Sequence, residues 1–434
     1  MKKLILALLV LLPLSSACEE ETPTAVSESL FPVAPRTLEV HIPWGQFATT
    51  AEVFGDFGEP YNLRQGVLSN NYKGGLSARM LVRWGNLRAA QSVRDSTGTT
   101  VVDSIFTYLG GTLLVRFDTL SSTRHAPALV AAQRILPAWH PPSATWEFAV
   151  DSAGDRRPWP EVGGGPAQPI ILGEWDPITG DSLVLPVDPL TLTAWADTLD
   201  VGKGLRLDMV SQDARLEVVS VQLRYEVIPS VNPDTTLVRT ADPQDFTFIY
   251  TPEPGPPEDG LRVGGVPAWR TFIRMQVPDE LMGPPALCEV LGCPFQLRPE
   301  RINHAALVFE TLPSVPPGFE PIDSVRLDVR SVLAPDRVPR SPLGPSFSGT
   351  GARALPPELF GDGAPRQVSV PFTEFVIAQL ADAARGGTEP PTALAILALP
   401  EPSSIAFAAF AGPGGPGAPF LRLIVTGSAP VELP

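Results

Sequence analysis

Short runs of alternating apolar and polar residues recur along most of this chain. In LLVRFD, Leu113, Val115 and Phe117 fall on one face and Leu114, Arg116 and Asp118 on the other. In VRLDV, Val325, Leu327 and Val329 point one way, and Arg326 and Asp328 the other. A period of two over five to eight residues is that of a half-buried strand. Turn-rich segments such as DSTGTT (95–100) and PSVPPGFEP (313–321) separate the runs. Short alternating strands joined by such turns predict an all-β chain of antiparallel sandwiches.

The runs also repeat in order. SARMLVRW (77–84) resembles RTFIRMQV (270–277), and GGTLLVRFDTL (110–120) resembles INHAALVFETL (302–312). ALVAAQRIL (128–136) pairs with SVRLDVRSVL (324–333), GLRLDMV (204–210) with ALAILAL (393–399), and SVQLRYEV (220–227) with FLRLIVTG (420–427). A spacing this long means two similar domains in tandem rather than a solenoid.

One repeated block breaks the strand pattern. SLVLPVDPLTLTAW (182–195) and RQVSVPFTEFVIAQL (366–380) each begin as a strand and turn into a short helix. Asp188 suits a helix cap and Pro189 the first helical position, with Leu192 and Trp195 on the buried face. In the second copy Thr373 takes the cap, and Val376, Ile377 and Leu380 turn inward. Each domain is therefore expected to carry one short helix.

Composition agrees with short elements. The 434 residues include 51 Pro and 37 Gly, which exclude long helices and coiled coils. Apolar residues make up 44%, enough for real cores. Asp and Glu number 47 against 32 Lys and Arg, and removal of a leader with Lys2 and Lys3 leaves 30 basic residues. Such a chain repels phosphate backbones, so nucleic acid is not expected as a partner.

The first 17 residues change the picture most. MKK is a positive n-region, LILALLVLL (4–12) an apolar core too short to span a membrane, and Ser15, Ser16 and Ala17 are small. Cys18 follows at once. This stretch resembles the lipobox of bacterial lipoproteins, although Ser15 stands where that pattern usually holds Leu, which here is Leu14. The resemblance implies cleavage before Cys18, lipid on its thiol, and a membrane partner through that lipid. The alternative is a secreted protein cut near Ala17 with Cys18 free. Acidic residues Glu19, Glu20 and Glu21 open a flexible tether. No Asp follows Cys18, which by the same resemblance favours the outer membrane, with a periplasmic or surface-facing body. Cys288 and Cys293 remain, an even pair in an exported chain, and are expected to form a disulfide. A metal reading of this C-x4-C needs further ligands, and His304 is the nearest His.

The order of elements resembles the DNRLRE-type domains of exported bacterial proteins. The quoted blocks are MLVRWGNL and FIRMQVP, TLLVRFDTL and AALVFETL, AWHPPSATWEFAVD (138–151), the two strand-to-helix blocks, GLRL, VQLRYEV and APFLRLIV. The name-giving motif is absent, and the second copy lacks the Trp region. The resemblance covers residues 38–228 and 245–428. It implies jelly-roll-like sandwiches similar to carbohydrate-binding modules, non-catalytic parts of surface or secreted proteins. The expected organisation is a signal peptide (1–17), a tether (18–37), a first sandwich (38–228), a linker (229–244), a second sandwich (245–428) and a tail (429–434).

Candidate chemistry is sparse. His41, His125, His140 and His304 show no metal-ligand spacing, and GPGGPG (412–417) precedes a strand rather than the helix a dinucleotide fingerprint requires. Trp139, Trp146, Trp159 and Trp175 crowd a loop-rich segment, where indole faces suit stacking on sugars but equally suit covering a sandwich edge. Asp151 with Asp155, Asp176 with Asp181, and Asp197 with Asp200 offer oxygens for structural calcium, yet Asp is also an ordinary turn former. No other cofactor is expected. The leading expectation is a non-enzymatic cell-envelope lipoprotein with a structural, adhesive or partner-binding role, toward a protein or a glycan. The alternatives are a carbohydrate-binding protein using the Trp-rich loops, and a hydrolase with an unrecognised site.

Overall fold

A computed structural model describes residues 35–123, 126–200, 204–256, 258–283, 285–347, 353–363, 365–385, 390–402 and 404–428. Its main strands, in chain order, begin with β1 (Pro35–Pro43), β2 (Ala48–Phe57), β3 (Gly66–Tyr72) and β4 (Leu76–Trp84). There follow β5 (Phe106–Asp118), β6 (Ala128–Ile135), β7 (Ala167–Trp175), β8 (Ser182–Val187), β9 (Gly204–Met209) and β10 (Arg215–Pro229). Next come β11 (Leu237–Ala241), β12 (Pro243–Tyr250), β13 (Gly260–Gly265), β14 (Ala268–Met275), β15 (Ile302–Leu312) and β16 (Val325–Val332). The last are β17 (Leu343–Ser346), β18 (Gln367–Pro371), β19 (Ala393–Ala398), β20 (Phe407–Ala411) and β21 (Phe420–Ser428). The longer helices are α1 (Pro189–Ala196), α2 (Pro285–Leu291) and α3 (Thr373–Arg385).

All pairings between these strands are antiparallel. In the first sandwich β7, β6, β9, β4 and β12 form one layer, and β11, β10, β5 and β8 the other, with β3 paired to both β4 and β10. In the second, β17, β16, β19, β14 and β2 lie in order opposite β1, β21, β15 and β18. The alternation explains the packing. Leu113, Val115 and Phe117 of β5 meet Met80, Val82 and Trp84 of β4 in one core. Leu327 and Val329 of β16 meet Leu307 and Phe309 of β15 in the other. Asp328, expected outward with Arg326, faces away from that core but is fully buried, because Arg330 Nε donates to it at 2.8 Å and Ser346 covers it.

Both strand-to-helix blocks form. Asp188 caps α1, its carboxylate accepting from the Leu190 and Thr191 amides at 2.8 and 2.9 Å, and Leu192 and Trp195 are buried. Helix α3 is longer than the short helix expected, at 13 residues. Thr373 is its first residue, not its cap. Its hydroxyl is taken by β15, accepting from the Ala305 amide at 3.0 Å. Val376 and Leu380 are buried and Ile377 packs beside them. The second sandwich also carries α2, which seats Leu287 and Leu291 in its core.

The pairing does not follow the expected boundaries. Residues 35–57 belong to the second sandwich, with β1 on β21 and β2 on β14. The stretch expected as linker contains β11, and β12 joins β4 of the first sandwich. Pro35, Arg36 and Thr37, expected in the tether, already pair with Ser428, Gly427 and Thr426. Cys18, the leader, the rest of the tether and the tail lie outside the described residues. The GPGGPG run is a loop, as its prolines predict: it splits into β20 and β21 what is one continuous strand, β10, in the first sandwich.

The two sandwiches meet through a shared apolar cluster. Val67, Ala78 and Phe248 of the first pack against Val266, Phe319 and Phe407 of the second. A polar rim surrounds it: Ser121 Oγ donates to Asp323 at 3.0 Å, and Lys73 pairs with Glu320.

Candidate functional site

The four tryptophans go to different places. Trp175 lies inside the first sandwich, its ring centroid 4.6 Å from that of Phe117 and its Nε1 donating to Gly180 O at 3.0 Å. Trp139 and Trp159 are buried with Leu81, Ile135 and Ile249 on the outer face of β4, and Trp159 Nε1 donates to Thr145 O at 2.8 Å. These three have no face open to a sugar, which corrects the expectation of a four-indole platform. An indole within reach of apolar surface buries most of its area there. Trp146 alone stays half-exposed.

Two outward residues of β4, Arg79 and Arg83, lie under indoles of this segment. The Arg79 guanidinium lies 4.9 Å from the Trp146 ring centroid and that of Arg83 4.8 Å from Trp139. These cations sit under π-faces, a favourable arrangement when desolvated. Arg79 Nη1 also donates to Gly163 O at 2.5 Å. Gly163 has φ +86°, and a Cβ there would come within 2.5 Å of that same nitrogen, so only glycine lets the loop lie so close. Gly163, in the run GGG (163–165), thus fastens this segment against β4. Arg206 Nη2 donates to Asp208 at 2.9 Å and Gln133 Nε2 to the same oxygen at 2.8 Å, while Arg79 Nε stands 3.7 Å from the other. Burial holds the Arg79 guanidinium below its usual range, and Asp208 opposes that pull.

Trp146 also lines a cleft of about 480 Å³ between the sandwiches. Its walls come from four places. The end of β2 and the crossover after it supply Asp56, Glu59 and Pro60; the Trp-rich segment supplies Thr145, Trp146 and Asp151; the end of β12 and the segment leading away from it supply Tyr250 and Glu253; and β14 supplies Trp269. Trp269 Nε1 donates to Glu253 at 2.8 Å, which fixes that indole's edge, and Arg262 lies 5.2 Å over its ring. The Tyr250 hydroxyl donates to Val266 O. Burial, with Glu253 nearby, pushes this phenol well above its ordinary value, so it remains a donor. Burial raises the Glu59 carboxyl, and His140 pulls the other way. The cleft therefore offers two indoles and several carboxylates, and no Lys or Arg among the described residues lines it. Indoles with carboxylate acceptors suit a ligand with apolar ring faces and hydroxyl or amine donors.

The remaining expectations resolve simply. Cys288 and Cys293 are bonded, with Cα atoms 4.9 Å apart, and close the turn after α2. The paired aspartates do not converge on a cation. Asp151 and Asp155 take Arg156 and Arg157, Asp200 takes Arg134, and Asp176 and Asp197 accept amides of their own turns. Among the described residues, no three His, Cys, Asp or Glu side chains gather as a metal site. His41 bonds Glu39 and His140 bonds Ser143; His125 lies outside the described residues. Sequence reasoning missed Trp269, Glu59 and Glu253, since none sits in a motif and only tertiary packing joins them.

No family model matches the chain. No curated protein matches it. Among solved structures, the one titled BspA_C_WT is 10% identical, with 78% of this chain and 91% of that one covered, at a TM-score of 0.11. The crystal structure of the STIV MCP is 11% identical over 92% and 96%, at a TM-score of 0.09. Neither similarity is close enough to bear on fold or ligand.

Proposed function

We propose that this chain is a non-enzymatic lipoprotein of the cell envelope, exported and held at the outer membrane by lipid on Cys18, whose binding site is the cleft between its two sandwiches. The anchor rests on the leader: a basic start, an apolar core, small residues and Cys18 in immediate succession. The binding reading rests on one observation, the cleft in which Trp146 and Trp269 from different sandwiches stand among Asp56, Glu59, Asp151 and Glu253. A glycan is the ligand class this lining favours. Pyranose faces stack on indole, and carboxylates accept hydroxyl hydrogen bonds, more strongly than neutral acceptors do.

The test is a glycan array probed with residues 30–434. Binding to a defined set of envelope glycans is expected, and an empty array removes the glycan reading. Because carboxylates line the cleft, the same glycans are offered as substrates. Turnover that disappears in Glu59→Gln or Glu253→Gln would replace the non-enzymatic reading with that of a hydrolase.

A further inference from the structure

The repeat makes strands of the two sandwiches equivalent, and one equivalence is crossed. β11 lies beside β10, the last strand of the first copy, and β12 beside β4. In the second sandwich β1 lies beside β21, its last strand, and β2 beside β14. The pair β1–β2 thus fills in the second sandwich the places that β11–β12 fill in the first. In sequence the order is opposite. β1–β2 lead into the β3–β4 hairpin of the first sandwich across a short crossover from Phe57 to Gly66. β11–β12 lead into the equivalent β13–β14 hairpin of the second across one from Tyr250 to Gly260.

We infer that the two sandwiches exchange their leading strand pairs within one chain, and that this exchange is the device that holds the cleft. Each sandwich is closed by the pair that leads into the other. The first sandwich is thereby inserted in the second, entered after Phe57 and left after Tyr250. Two crossovers then run between the bodies. Both line the cleft, one through Glu59 and Pro60, the other through Pro252 and Glu253. A single linker would leave the sandwiches free to rotate about one point. Two linkers, each running between strands paired into different sandwiches, resist that rotation and keep Trp146 and Trp269 on one cleft. The exchange also sends the N-terminal tether into the second sandwich, so the Trp-rich loops of the first stand on the body that is not directly tethered.

Equivalent positions give the test. Thr37 of β1 is opposite Thr426 of β21, and Val238 of β11 is opposite Glu226 of β10. Without exchange, Thr37 would lie beside Glu226. Two full-length double variants are compared, Thr37→Cys with Thr426→Cys and Thr37→Cys with Glu226→Cys, each oxidised and mapped by mass spectrometry. Expected are a 37–426 link in most molecules, migrating as a monomer, and no 37–226 link above background. A 37–226 link overturns the inference. So does a first variant that folds, by circular dichroism, but stays unlinked. A 37–426 link found only between chains overturns it as well, since the pair would then come from a second copy. The cleft reading is judged separately, by ligand binding.

Discussion

Arg79 lies under the indole of Trp146, its guanidinium carbon 4.9 Å from the ring centroid. Trp146 thus packs on the protein through Arg79 and also lines the cleft. Truncating this side chain separates its two roles. Trp146→Ala loses about half an indole's burial, a cost of about 2 kcal/mol in denaturant unfolding. Because the cavity and Trp269 remain, the fold persists, and ligand affinity is expected to fall at least tenfold.

Trp159 behaves differently. It is buried on β4's outer face and its Nε1 is satisfied by Thr145. Trp159→Ala should cost about 3–5 kcal/mol, the range for deleting a buried aromatic. A urea midpoint unchanged from wild type would show that this indole is not the core residue described.

Asp188 makes stability depend on acid pH. Its partial burial would raise the carboxyl, but hydrogen bonds from the Thr191 hydroxyl and the Thr191 and Leu190 amides outweigh this, and it titrates below the usual aspartate range. A depressed carboxyl stabilises the fold above its unfolded value and loses that contribution as pH falls through the folded value. Asp188→Asn keeps a capping oxygen without the charge, so it should flatten this acid limb, losing at neutral pH only what the charge contributes there. Asp188→Ala should cost about 1 kcal/mol at pH 7. Melting curves between pH 2 and pH 7, on the order of one pH unit apart, resolve the two, since the transition of a single carboxyl spans about two units.

The anchor is checked in cells. Palmitate label should enter the wild-type chain and be absent from Cys18→Ser, which should then leave the membrane fraction. Label retained in that variant would place the lipid elsewhere or make it adventitious.

What was legible in the sequence was local. Leu113, Val115 and Phe117 reveal their face because strand periodicity needs only neighbours. Asp188, Leu192 and Trp195 reveal a capped helix for the same reason. Strand partners are not local. Nothing in PRTLEVHIP says that it pairs with the far end of the chain, so the expected boundaries at 38 and 245 cut across both closing strand pairs. The site shows the same division. Trp146 stands out because four indoles crowd one segment. Trp269 and Glu253 have no such signal, because their meeting with Trp146 depends on how two sheets dock. Alternation gives Asp328 a direction, and whether that direction is covered depends on Arg330 and Ser346.

Ligand is expected to enter the cleft lined by Trp146 and Trp269. The direct measurement is calorimetric titration of the array-selected glycan into wild type, Trp146→Ala, Trp269→Ala and a surface control, Ile178→Ser, at a residue 91% exposed on the first sandwich. Affinity at least tenfold weaker in each tryptophan variant, with the control unchanged, is the predicted result. Wild-type affinity in both tryptophan variants would contradict it.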